Sequence, residues 1–217
     1  MSFRFLLIGD GVVSQVLEMH LLVENIGKIN VKKIRVQRTD RSFVLNNPQI
    51  EEILELQESD ESLRTHLAVG YHGNNLGRRE LASSLLKRSV RLDTYVSTEA
   101  KIAPGAVVGD HCLIMPGGIV EPFANIGHGS IVWTNSHVSH HAEVGDYCFV
   151  ASGAVICGSA RIGSQCFIGA NSTVIDEVYV GMGSVIGAGS LVRSNCDDNS
   201  VIVAPNSSIL SDFHLPI

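Results

Sequence analysis

Positive charge almost disappears after residue 100. Residues 101–217 hold only Lys101, Arg161 and Arg193 against nine acids, whereas residues 1–100 hold 13 of each sign. With a net charge of −6, such a chain does not suit a polyanion, which argues against nucleic acid as a partner. Long apolar runs are also missing. None approaches the roughly 18 residues of a membrane span, so no membrane partner is expected. The opening "MSFRFLLIGDG" lacks the apolar length and small-residue cleavage pattern of a signal peptide, and the chain reads as cytoplasmic. The five cysteines form no metal-type C-x-x-C pair. In a cytoplasmic chain of 217 residues they do not suggest a disulfide framework either.

What the second half does contain is a period. Stepping by six from Val96 through Ile102, Val108 and Ile114 to Val192 meets seventeen positions, and all are Val or Ile. Two residues before each stands a very small side chain, such as Ala100, Cys112, Ser130, Ala142 or Cys166; Val178 departs from this. Residues two apart on a strand point the same way, so each hexapeptide is a short strand and a turn with its aliphatic and small residues inside. Gly109, Gly127, Gly145, Gly163 and Gly181 add a period of 18. Three hexapeptides therefore make one coil of a triangular prism. Cys112, Cys148 and Cys166 fall at small interior positions and read as core.

The first half alternates strands and helices. "FRFLLIGDGVVSQVLEMHLL" gives strand, glycine turn and helix, and "KINVKKIRVQ" gives a second strand. "NPQIEEILELQE" gives a helix with Asn46 or Asn47 as cap before Pro48. "THLAVGYHGNNLGRRE" begins a third strand–turn–helix. This order predicts an α/β Rossmann-like domain over residues 1–94 with a small parallel sheet. The β-helix, with a C-terminal extension, follows over 95–217.

The repeat resembles the hexapeptide-repeat, left-handed β-helix family, whose enzymes are mostly trimeric acyltransferases. With a βαβ domain in front, the chain resembles the bacterial nucleotide-amino-sugar N-acetyltransferases of the bacillosamine and sialic-acid pathways. That resemblance implies a homotrimer that moves acetyl from acetyl-CoA to the amine of a UDP- or dTDP-linked aminodeoxy sugar. "VGYHGNNLGRRE" is similar to a G-Y-x-x-x-N-x-x-R stretch in one branch. The resemblance thereby implies substrate contacts at Gly9, Asp10, Gly11, Gly70, Tyr71, Asn75 and Arg78. Arg78 and Arg79 also suit a solvated helix face. Some relatives carry acids after the second strand where this chain has Gln37 and Arg38, which leaves base and sugar stereochemistry open. Family contacts to CoA map to Phe149, Gly158, Ala170 and Ala188. Arg193 is the preferred phosphate contact, because the C-terminal G-x-P-A-K of the family is replaced by "VAPNSSI".

"NSHVSHHAEVGD" gathers His137, His140 and His141 at outward positions, the last two at a corner where neighbouring side chains should diverge. The zinc spacing found on this fold, two histidines five apart, is absent, so no metal is expected. The resemblance makes His140 the general base, and imidazole can accept an ammonium proton near neutral pH. One coil above His140 lies Gly158, whose amide the resemblance assigns to the tetrahedral oxyanion; turn geometry alone also accounts for a glycine there. In several relatives an acid follows the histidine and orients it. Here His141 takes that place, and Glu143 or Asp146 are candidate substitutes. Trp133 reads as trimer-interface packing in preference to lining the acyl site. Two other functions suit the same scaffold: sugar O-acylation, and nucleotide-sugar binding without catalysis.

Overall fold

A computed structural model describes residues 4–9, 11–24, 30–39, 42–71, 73 and 75–206. Asp10, one of the expected substrate contacts, lies outside them. The N-terminal unit contains β1 (Phe5–Ile8), α1 (Val12–Glu24), β2 (Val31–Ile34), β3 (Gln37–Arg38), β4 (Phe43–Val44), α2 (Asn47–Ser59), β5 (Arg64–Leu67) and α3 (Leu76–Lys87). Its parallel sheet has three strands in the order β2-β1-β5, and β3 and β4 form a separate antiparallel pair. Strand alternation divides β1 between two cores. Leu6 and Ile8 pack with Ile50 and Ile53 of α2 and Leu81 and Leu85 of α3. Leu7 points the other way, to Val13, Leu17 and Leu21 of α1.

Asn46 caps α2. Its side chain accepts from the Gln49 N–H at 2.9 Å, and the Gln49 side chain accepts from the Asn46 N–H at 3.0 Å, a reciprocal capping box. Gln49 also donates to the Arg35 carbonyl at 2.7 Å, tying the helix start to the segment after β2.

The prism begins at Tyr95–Val96 and runs in two-residue strands to Val201–Ile202. The strands stack into three parallel sheets of seven, six and five, the left-handed parallel β-helix expected. The first face carries Tyr95, Leu113, Ile131, Phe149, Phe167, Val185 and Val201 in register. The second carries Lys101, Ile119, His137, Val155, Thr173 and Leu191. The third carries Val107, Asn125, Glu143, Arg161 and Tyr179. The interior is filled as the period predicts: Val120, Ile126, Val132 and Val138 are fully buried beside Ala124, Ala142 and Cys148. The thiols of Cys112, Cys148 and Cys166 each lie 3.1 Å from a glycine carbonyl at the same corner of the next coil.

Coil-to-coil contact is tightest at the corner between the third and first faces. A Cβ on Gly145 would lie 2.6 Å from the Ser164 nitrogen and 2.9 Å from the Gly163 carbonyl carbon. Backbone cannot yield there as a flexible side chain would. Gly11, by contrast, faces open space. Gly145→Ala is expected to destabilise the protein by about 1–3 kcal/mol, and Gly11→Ala to leave stability nearly unchanged. Urea unfolding of the two variants checks this.

Candidate functional site

The first face is the apolar side of the prism because the N-terminal unit covers it. Leu7, Val13, Leu17, Leu21 and Ala68 pack onto Tyr95, Leu113, Met115 and Ile131 in one shared core. Two polar residues fix the joint. Arg78 is 1% exposed, and its guanidinium donates to the carbonyls of Gly129 (3.0 Å), Tyr147 (3.1 Å), Cys148 (3.0 Å) and Gly70 (3.4 Å). Burial lowers its pKa to about 10, so it stays cationic at neutral pH and its charge is met by carbonyl dipoles. Asn75 adopts the left-handed conformation at φ 66° and donates to the Cys166 carbonyl at 3.1 Å.

These placements correct two expectations. Arg78 and Asn75 do not line the cavity described below; Arg78 is not on a solvated face either. Both staple the N-terminal unit to the prism. Arg79 joins them, donating to Gln165 at 2.7 Å.

Above the joint opens a cavity of about 830 Å³. Gly11, Val12, Val13, Val36, Arg38, Phe43, Gly70 and Tyr71 line it from the N-terminal unit, and Trp133, Phe149, Ser152, Phe167, Ala170 and Ala188 from the prism. It lies at the carboxyl ends of the strands, where open α/β sheets take ligands. One wall is aromatic. Trp133 stacks on Phe149 and Phe149 on Phe167, each with ring centres 5.7 Å apart. Tyr71 leans on Phe167 at 4.6 Å and on Phe149 at 5.1 Å. The structure thus brings Gly11, Gly70 and Tyr71 together with Phe149, Ala170 and Ala188. Trp133 joins this wall. Gly9 plays another part: a Cβ there would lie 2.4 Å from the Ala68 carbonyl oxygen, so its role is the close approach of β1 to the chain beyond β5.

The other expected residues sit elsewhere. His140, Gly158 and Arg193 belong to the corner between the second and third faces, across the prism from the cavity. There His140 lies over Gly158, with Cε1 and Nε2 at 2.5 and 2.9 Å from where a Gly158 Cβ would be. The Gly158 N–H has no hydrogen-bond partner among the described residues. Asp176, one coil further, places Oδ1 3.1 Å from that same point. The Glu121 carboxylate accepts from the His140 backbone N–H at 2.8 Å and holds His137 Nε2 at 2.8 Å. Those two hydrogen bonds, the His140 amide first, keep its carboxyl below the usual range.

The His140 and His141 rings do not diverge as expected. They meet edge-on at 5.5 Å, with the two Nδ1 atoms 3.4 Å apart. Neither expected acid orients His140: Glu143 lies 3.9 Å from Arg161 on the third face, and Asp146 accepts from the His128 N–H at another corner. Sequence reasoning missed Glu121 and Asp176. The 18-residue step from Gly158 points to Asp176, but nothing in the period marks Glu121, whose side chain crosses to the next coil. Among the described residues no three His, Cys, Asp or Glu side chains converge as metal ligands would.

Residues 123–158 and 159–194 match the bacterial transferase hexapeptide (six repeats) family. Those two stretches lie within the prism and cover about a third of the chain. No curated protein matches the chain by sequence. Solved structures do resemble it over nearly its whole length. The acetyltransferase domain of PglB from Neisseria gonorrhoeae FA1090 is 24% identical, covering 93% of this chain and 97% of its own, at a TM-score of 0.77. PerB from Caulobacter crescentus, in complex with CoA and GDP-perosamine, is 21% identical over 92% and 93%, at 0.78. WeeI from Acinetobacter baumannii AYE is 15% identical over 93% and 97%, at 0.58. The prism and its N-terminal unit therefore share one overall fold with these proteins.

Arg78→Ala would remove the donor that joins the carbonyls of Gly70, Gly129, Tyr147 and Cys148. It is expected to cost about 3 kcal/mol or more. Arg78→Lys should recover little, because an ammonium cannot span the fork of contacts. Thermal unfolding of both variants is the check; a melting temperature unchanged in either would remove the staple from the account.

Proposed function

We propose that the protein transfers an acetyl group from acetyl-CoA to the amine of a nucleotide-linked aminodeoxy sugar. His140 is the general base and the Gly158 amide the oxyanion donor. The observation that carries the reading is the pairing of an exposed imidazole with an unpartnered backbone N–H directly beneath it. With Nδ1 turned toward His141, His140 presents Nε2 over Gly158. The sugar ammonium loses one proton to water, the free amine attacks the thioester carbon, and Nε2 takes the nitrogen's second proton as the carbon–nitrogen bond forms. The oxyanion is held by the Gly158 N–H. Collapse breaks the carbon–sulfur bond, and the proton on His140 passes to the departing thiolate. Glu121 keeps the His140 backbone in place, and Asp176 supplies a carboxylate where the ammonium arrives. A perosamine N-acetyltransferase of the same fold binds CoA and GDP-perosamine, and the PglB domain binds acetyl-CoA.

The cavity and His140 lie on different corners, so a complete site takes two copies. The first face is covered and the third is polar, with Asn125, Glu143 and Arg161 outward. The second face remains, with Ile119, Val155, Thr173 and Leu191 outward. Three such faces around an axis parallel to the prism bring the His140 corner of one copy against the Ala188 corner of the next, without a shift in height. Coil by coil, His140 then meets the level of Trp133, Gly158 that of Ser152, and Arg193 that of Ala188. CoA runs up this seam, contacting Phe149, Ala170 and Ala188 on one copy and Arg193 on the other. Gly11, Gly70 and Tyr71, with Asp10 beside Gly11 in sequence, serve the nucleotide-sugar.

Incubation with acetyl-CoA and a panel of nucleotide-linked amino sugars, followed by mass spectrometry, tests the activity. An amide product is expected; an ester would point to O-acylation, and no product from any sugar would sink the reading. His140→Ala should lower the rate about 100-fold or more. Mixing His140→Ala with Ala188→Trp, each inactive alone, should restore roughly a quarter of wild-type activity through sites with both halves intact. No recovery in mixed oligomers would mean that one copy holds the whole site.

A further inference from the structure

The cavity has a direction, set by strand order. In the sheet β2-β1-β5, the β5 side carries Gly70 and Tyr71 and leads to the aromatic wall of the prism. The middle carries Gly11 and the start of α1, whose free N–H groups suit phosphate oxygens. The side beyond β2 carries Val36, Arg38 and Phe43. A nucleotide-sugar must send its sugar toward the prism, where the chemistry lies. Its diphosphate then falls at the glycine turn and its base in the recess beyond β2.

Among the described residues Arg38 is the only charged one on the cavity wall. It is also unspent. Arg64 donates to Asp93, Arg78 and Arg91 to carbonyls, Arg79 to Gln165 and Arg88 to Asn47. Arg38 has no hydrogen bond or ion pair among the described residues. A planar, unpaired guanidinium between the apolar side chains of Val36 and Phe43 is built to meet the edge of a flat ring whose faces lie on those side chains.

We infer that this recess selects guanine, so that the acceptor is a GDP-linked amino sugar; the inference rests on the nucleotide-sugar reading above. A guanidinium fork donates two parallel N–H bonds and needs two adjacent acceptors. Guanine offers O6 and N7. Uracil and thymine set the N3–H donor beside O4, and adenine sets its amino group beside N7, so each turns a donor toward the fork. Cytosine has two neighbouring acceptors, N3 and O2, but its O2 lies against the glycosidic bond and is hindered by the ribose.

Calorimetric titration of the full-length protein with GDP, UDP, dTDP, CDP and ADP tests the inference. GDP should bind tightest by about 10-fold or more. Arg38→Ala should abolish the preference while leaving UDP and CoA binding unchanged. Arg38→Lys, which keeps the charge and loses the fork, should also abolish it. Arg38 is exposed, so both variants retain the fold. Equal weakening of all five nucleotides by Arg38→Ala would make Arg38 a phosphate contact and overturn the inference. Binding without preference, or preference for another base, overturns it and leaves the nucleotide-sugar reading standing. If no nucleoside diphosphate binds, both fall together.

Discussion

Backbone stacked on backbone at one corner of the prism is the constraint from which the rest follows. Glycines at 109, 127, 145, 163 and 181 let successive coils approach until a single added carbon would strike the next coil's main chain. With coils held at the spacing of paired parallel strands, every residue has a fixed height and a fixed column. Function is then a matter of which side chain occupies which column. The column that holds Pro122 also holds His140, Gly158 and Asp176, and that succession makes an imidazole, an open amide and a carboxylate into neighbours.

The second constraint is the joint. Arg78 threads from α3 into the prism and satisfies carbonyls on three different residues there. Its contact with the Gly70 carbonyl carries the same anchoring to the loop that borders the cavity. The cavity therefore has one wall from each unit and a fixed distance between them.

How much of this was legible in the sequence depended on whether a period carried it. The prism, its interior and the stacking of Gly158 on His140 could be counted along the chain. The parallel sheet could be read from alternating strands and helices, though not its limit of three strands. Asn75 and Arg78 were found as residues but given the wrong neighbours, because a buried arginine and a solvated one look alike in a helix. The outward position of Trp133 says nothing of what covers it, so its place on the cavity wall could not be read from the chain. Glu121 was missed because its hydrogen bonds cross between coils through side-chain reach. The His140–His141 contact departed from expectation because the left-handed turn at residue 141, φ 58°, swings its ring back toward its neighbour.

The claim that ties these observations together is that one copy supplies the aromatic cavity and a neighbour supplies His140 and Gly158. A crystal structure of the protein grown with CoA tests it most directly. The account predicts the thiol end beside the Gly158 amide and His140 of one copy, with the remainder of CoA along Phe149, Ala170 and Ala188 of the next. CoA lying wholly against a single copy, or bound away from the His140 corner, would contradict it.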